Sequence, residues 1–190
     1  MRAIVFLDRD GTLIEEVGYL RDPTRMRGIP GAAEGLARLS REGLILAVVS
    51  NQAGLAKGIF GEDEFEAVHR AFVDLFRSQG VRFDDVEYCP HHPDGIVDRY
   101  RSSCGCRKPG TGMAERVLSR HGVPAEWPRF AVGDKMSDIV MGKRLGARTL
   151  LVQTGYGARE RMAGERDGIL PDAVVPGVRE AAEWILGQGE

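Results

Sequence analysis

Short apolar runs that do not alternate constrain this chain more than any other feature. Ala3 to Leu7, the LILAVVS run from Leu44, RFAVG from Arg129 and RTLLV from Arg148 are all strand-length. A strand with one face in water alternates apolar and polar residues, so strands that do not alternate are expected to be covered on both faces. Helical patterns fall between them. GAAEGLARLSREG precedes the second run, and GEDEFEAVHRAFVDLFRSQG follows it with Phe65, Val68, Phe72, Leu75 and Phe76 at three- and four-residue spacing. Glu62, Asp63 and Glu64 suit the amino end of that helix and Gly80 suits its stop. Further helices are expected near Met113 to Arg120, Ser137 to Leu145 and Val178 to Leu186, with short strands near Val86 to Tyr88 and at AVV from Ala173. Strands alternating with helices predict an α/β chain, a three-layer α/β/α sandwich of Rossmann type on a mainly parallel sheet with right-handed crossovers. At 190 residues it should form one domain spanning 1–190, without a separate cap.

Composition removes several classes of function. The chain is 43% hydrophobic and 28% charged with a formal net charge of -2, the profile of a soluble globular protein and not of one built to bind nucleic acid or an anionic membrane. Charge at Arg2 and Asp8 leaves no room for a signal peptide, and LILAVV is far shorter than a membrane span, so a cytoplasmic location is expected. No repeat, linker or self-association device is evident, and a monomer is expected.

In such a sheet ligands bind beyond the carboxyl ends of the strands. The first strand delivers Asp8 and Asp10 there, the second Ser50 and Asn51, and RFAVG delivers Asp134, Lys135 and Asp138. Singly, each cluster reads as turn or cap residues. Together they converge on one edge. Asp8, Asp10 and Asp134 cannot share a small pocket without a cation, and an all-oxygen donor set with room for water suits magnesium. Such an ion would let the Asp8 carboxylate attack an anionic phosphate and form an aspartyl-phosphate. Asp10 could protonate the leaving oxygen and then take a proton from water. Ser50 and Lys135 would hold the phosphate oxygens, Asn51 beside Ser50 is expected to contact the substrate, and Gly11 lets the chain turn sharply away.

DRDGT, SNQ and GDKMSD, in that order and each after an apolar strand, resemble the signature of the haloacid dehalogenase (HAD) superfamily of aspartate-nucleophile phosphohydrolases. The resemblance covers nearly the whole chain. It implies Asp8 as nucleophile, Asp10 as acid/base, and Ser50 and Lys135 as phosphate binders. It also implies magnesium held by Asp8, Asp134 and the backbone carbonyl of Asp10, with Asp138 supporting the loop.

All three cysteines, Cys89, Cys104 and Cys106, fall in one aperiodic stretch together with His91 and His92. A chance scatter would not cluster them, and disulfides are rare in a cytosolic chain. Cys89, His91, Cys104 and Cys106 make a Cys₃His set suited to a closed, structural zinc site in a loop spanning 89–106, leaving His92 over. Arg107 and Lys108 follow directly, and a guanidinium pinned there could bind a second phosphate, so the substrate would carry two anionic groups. CPHHP through CGCRKPG is similar to the D-glycero-D-manno-heptose 1,7-bisphosphate phosphatase family. That resemblance implies hydrolysis of the C7 phosphate of a sugar bisphosphate, with Arg107 and Lys108 near the retained C1 phosphate. A histidinol-phosphate phosphatase is the nearest rival, and a zinc-organised binding module without catalysis is the rival from another class.

Overall fold

The computed structural model describes residues 2–189. Six strands, β1 (Ile4–Leu7), β2 (Ile45–Asn51), β3 (Asp85–Cys89), β4 (Arg129–Gly133), β5 (Arg148–Val152) and β6 (Ala173–Val175), form one sheet in the order β3-β2-β1-β4-β5-β6. Every neighbouring pair is parallel. β1 lies at the centre and all four of its residues are buried, which is why its sequence shows no alternation. Because β1 has β2 on one side and β4 on the other, the strand order reverses direction there, and a crevice opens beyond the carboxyl ends of these three strands.

Helices cover both faces. α1 (Ala32–Arg41), α2 (Glu62–Ser78) and α6 (Val178–Leu186) bury Leu36, Phe72 and Ile185 in one core with Val5 and Leu7 of β1. α3 (Gly112–Arg120) and α4 (Met136–Arg144) bury Met113, Val117 and Met141 in a second core with Ile4 and Phe6 of the same strand. Alternate side chains of one strand thus feed two cores, each fully buried large residue contributing about 1.5–3 kcal/mol. α2 keeps Phe65, Val68, Phe72 and Phe76 buried as its spacing requires, and Glu64 accepts a hydrogen bond from the Gly61 N–H at its amino end.

One helix escaped the sequence reading. α5 (Gly157–Asp167) buries only Gly157 and Gly164 and is otherwise rich in Arg and Glu, so it carries almost no apolar stripe to recognise. No described helix is long and apolar enough to cross a membrane.

Candidate active site

The crevice holds a cavity of about 330 Å³ lined by residues from several strand ends, among them Asp8, Asp10, Ser50, Asn51, Lys108, Lys135 and Arg107. Asp8 follows β1 and is 6% exposed, and Asp134 follows β4 and is fully buried. Carboxylate oxygens of Asp8, Asp134 and Asp138 lie within 4.8 Å of one another. Asp134 Oδ2 accepts a hydrogen bond from the Tyr156 N–H at 2.8 Å, whereas its Oδ1 is buried with no partner. Burial, and then the charge of Asp8, raise the Asp134 carboxyl to about 8. A buried carboxylate held away from water with one oxygen unmatched fits an oxygen-seeking divalent cation. Two glycines make room for it. A Cβ on Gly11 would stand 2.1 Å from Asp134 Oδ2 and one on Gly155 2.2 Å, and both residues have positive φ.

Lys108 sits at the centre of the carboxylates. Its Nζ is 2.6 Å from Asp8 Oδ1, 2.6 Å from Asp138 Oδ1 and 2.6 Å from the Val49 carbonyl oxygen. Burial opposes its charge, but Asp138 and Asp8 overcome this and raise its pKa. Asp138 also accepts from the Lys135 N–H at 3.1 Å, so it supports the loop after β4 as expected, while burial raises it to about 6 despite the opposing charge of Lys108.

Three expectations change in detail. Lys108 does not stand out with Arg107 toward a distant phosphate; it is 4% exposed and turned inward onto Asp8, because two carboxylates and a strand carbonyl satisfy its ammonium there. Lys135 lies nearer the mouth, its side chain 38% exposed and its Nζ 3.1 Å from Glu16 Oε2. Burial pulls its pKa down, but Asp8, Asp134 and Glu16 together raise it. Asn51 spends its amide on the main chain of Lys108, donating to the carbonyl at 3.1 Å and accepting from the N–H at 3.0 Å.

Asp10 faces the cavity from a different set of contacts. Its carboxylate receives two hydrogen bonds from Arg9, both at 3.1 Å, and one from Gln52 Nε2 at 2.8 Å, and Gln52 Nε2 also lies 2.8 Å from Ser50 Oγ. The Asp10 carboxylate therefore stands outside the Asp8–Asp134–Asp138 group. Arg9, Glu16 and Tyr156 carry no assigned role in the sequence, and Gln52 figures there only within the SNQ motif. Arg9 and Gln52 adjoin marked residues and were within reach of the same reading, whereas Glu16 and Tyr156 come from loops without any motif.

Beside this cavity the second cluster is assembled. Cys89 ends β3, and Cys104 and Cys106 come from the loop before α3. The thiol sulfurs lie 2.8 to 3.4 Å apart, and His91 Nδ1 is 3.5 Å from Cys106 Sγ and 3.7 Å from Cys89 Sγ. No disulfide links them. Burial pushes the Cys89 and Cys106 thiols up, while hydrogen bonds from both bring Cys104 down to about 6 against its own burial. Three sulfurs and one imidazole nitrogen within 4.8 Å form a complete soft donor set for zinc. His92 stands outside it, its Nδ1 accepting from the Asp94 N–H at 3.1 Å. The cluster touches the cavity through Arg107, whose Nη1 donates to the His91 carbonyl at 3.3 Å.

A HAD-hydrolase-like family model matches residues 105–181. A D-glycero-beta-D-manno-heptose-1,7-bisphosphate 7-phosphatase of Vibrio cholerae serotype O1 is 35% identical over 96% of this chain and 95% of its own. The chain belongs to the HAD-like heptose-bisphosphate phosphatase family. A Rhodopseudomonas palustris relative of the same name is 39% identical over 76% of this chain and 80% of its own. Among solved structures, the D,D-heptose 1,7-bisphosphate phosphatase of B. bronchiseptica, complexed with magnesium and phosphate, superposes with a TM-score of 0.84 at 29% identity, covering 98% of this chain and 99% of that one. As a member of this phosphatase family, the chain is a phosphoric monoester hydrolase with the HAD fold.

Proposed function

We propose that this phosphatase removes the C7 phosphate of D-glycero-D-manno-heptose 1,7-bisphosphate through an aspartyl-phosphate on Asp8. One observation carries the reading: a single cavity is lined by the buried Asp8 and Lys108 together with the partly exposed Asp10, Arg107 and Lys135. The buried pair suits one phosphoryl group and the two partly exposed cations suit a second. The names of the relatives support the same substrate.

A magnesium ion held by Asp8, Asp134 and the Asp10 carbonyl would neutralise charge on the phosphoryl oxygens and on the nucleophile. The chain's own groups do the rest. An Asp8 carboxylate oxygen attacks phosphorus, the P–O bond to C7 breaks, and Asp10 in its acid form gives its proton to the departing sugar oxygen. Arg9 and Gln52 fix the direction of that carboxyl. Water then attacks the aspartyl-phosphate and passes a proton to Asp10, which frees inorganic phosphate and restores Asp8. Lys108 and Ser50 hold the non-bridging oxygens in both steps. A zinc ion on Cys89, His91, Cys104 and Cys106 would have a full ligand set and would serve to hold Arg107.

The test is initial rates on both anomers of the heptose bisphosphate, with histidinol phosphate and fructose 1,6-bisphosphate as comparators, with and without magnesium. The heptose bisphosphate should give the highest kcat/KM, with release from C7 and dependence on magnesium. Faster turnover of histidinol phosphate would replace the proposed substrate. Arg107→Ala should lower kcat/KM for a bisphosphate about 10–100-fold more than for a monophosphate, as expected when one charge-assisted contact of about 1.5–3 kcal/mol is lost.

A further inference from the structure

We infer that Asn51 is a positioning residue whose side-chain amide, acting through the Lys108 main chain, sets where the Lys108 ammonium stands. The inference rests on the reading of Asp8 and Lys108 as parts of the phosphatase site. Lys108 lies in a loop outside any helix or strand, so no regular ladder fixes its backbone. Among the described residues the Asn51 side chain is the one hydrogen-bond partner of both the Lys108 N–H and its carbonyl. A two-point amide clamp fixes translation and rotation together, which a single hydrogen bond cannot.

The clamp and its load share one strand. Asn51 is the last residue of β2, and two residues earlier the Val49 carbonyl accepts from Lys108 Nζ at 2.6 Å. The end of β2 thus grips Lys108 at its backbone through Asn51 and at its tip through Val49, with the side chain stretched between the two. The ammonium is left with Asp8 and Asp138 as its remaining partners. Without the clamp, two buried carboxylates and the Val49 carbonyl would still attract the ammonium, but the backbone from which it reaches them would no longer be fixed to the sheet. A misplacement of about 1 Å at a reacting centre can cost on the order of 10²-fold in rate. The same clamp joins the catalytic end to the thiol cluster, because Asn51 pairs with Cys89 in the sheet register and Cys106 lies two residues before Lys108 in the chain.

Two measurements on the full chain test this. The buried Lys108 ammonium should give a slowly exchanging ¹⁵N-correlated signal, assigned by its loss in Lys108→Met, and Asn51→Ala should drive that signal into solvent exchange. A signal unchanged in Asn51→Ala overturns the inference, whichever ester the enzyme hydrolyses. With any phosphate ester the wild type turns over, Asn51→Ala should lower kcat about 10–100-fold and alter KM less than about twofold. A raised KM with unchanged kcat would instead show that Asn51 contacts substrate. Asn51→Asp keeps the acceptor for the Lys108 N–H and loses the donor; should the alanine variant not fold, its fall in kcat at steady KM carries the test. Failure of the heptose bisphosphate as substrate leaves the ammonium measurement intact and so is told apart from failure of the clamp.

Discussion

The molecule builds two polyvalent clusters side by side from opposite materials. Asp8 follows β1, Asp134 follows β4 and Asp138 lies in the first turn of α4; all three are buried, and burial first, then the charge of Asp8, raises the Asp134 carboxyl to about 8. Cys89, His91, Cys104 and Cys106 come from one strand end and one loop, and three of the four are only partly buried. The carboxylates leave an oxygen of Asp134 unmatched, and Asp8 and Asp138 line a cavity, so an ion held among them could share its coordination with a substrate. The thiols and imidazole make a complete set of four, so an ion there has no valence to spare. An unfinished donor set beside a cavity is the mark of chemistry, and a finished one beside a loop is the mark of architecture.

The sharpest way to break that contrast is to neutralise one carboxylate. Asp8→Asn should reduce phosphate release by at least about 10³-fold, the scale for removing a covalent nucleophile. Because Asp8 is one cause of the raised Asp134 pKa, the variant should melt no lower than wild type in metal-free buffer near neutral pH. Lys108 would still keep Asp138. Substantial turnover by Asp8→Asn, or phosphoryl label trapped on another residue, would remove the covalent mechanism. On the other cluster, Cys104→Ser should take bound zinc well below about one equivalent per chain, lower melting by about 5–10 °C and reduce turnover about 10–100-fold. Unchanged melting with full activity would show that the thiol set does not support Arg107.

How much of this was legible follows the same division. The sheet was readable because β1, β2, β4 and β5 are buried on both faces and show it in composition. The thiol cluster was readable because its ligands are rare residues close together in the chain. Asp8, Ser50 and Asp134 were readable because strand ends announce themselves. Lys108 was the hard case. From the sequence it is half of an Arg-Lys pair beside a proline in a loop, and only the register between that loop and β2 turns it inward onto Asp8. Side-chain direction in an irregular segment depends on which tertiary partner satisfies the charge, and no local period encodes that. Glu16 and Tyr156 were hidden for the same reason: their contacts with Lys135 and Asp134 are tertiary, and no spacing foreshadows them.

The gentlest probe of the comparison is pH. Asp134 is raised from about 3.8 to about 8, first by burial and then by Asp8, so the folded chain binds this proton more tightly than the unfolded chain does. Its contribution to stability is therefore fully present below the unfolded pKa and is lost as pH climbs toward about 8. A cation must displace the same proton, so magnesium affinity should rise with pH through neutrality, by up to about tenfold per unit, and level off above about pH 8. Titration calorimetry with magnesium alone at several pH values measures this directly. In Asp8→Asn the rise should move to lower pH, since the larger of the two neighbouring charges that raise Asp134 is gone. A flat profile in the wild type would mean that Asp134 is already ionised without a cation, and the carboxylate cluster would then be as self-sufficient as the thiol one.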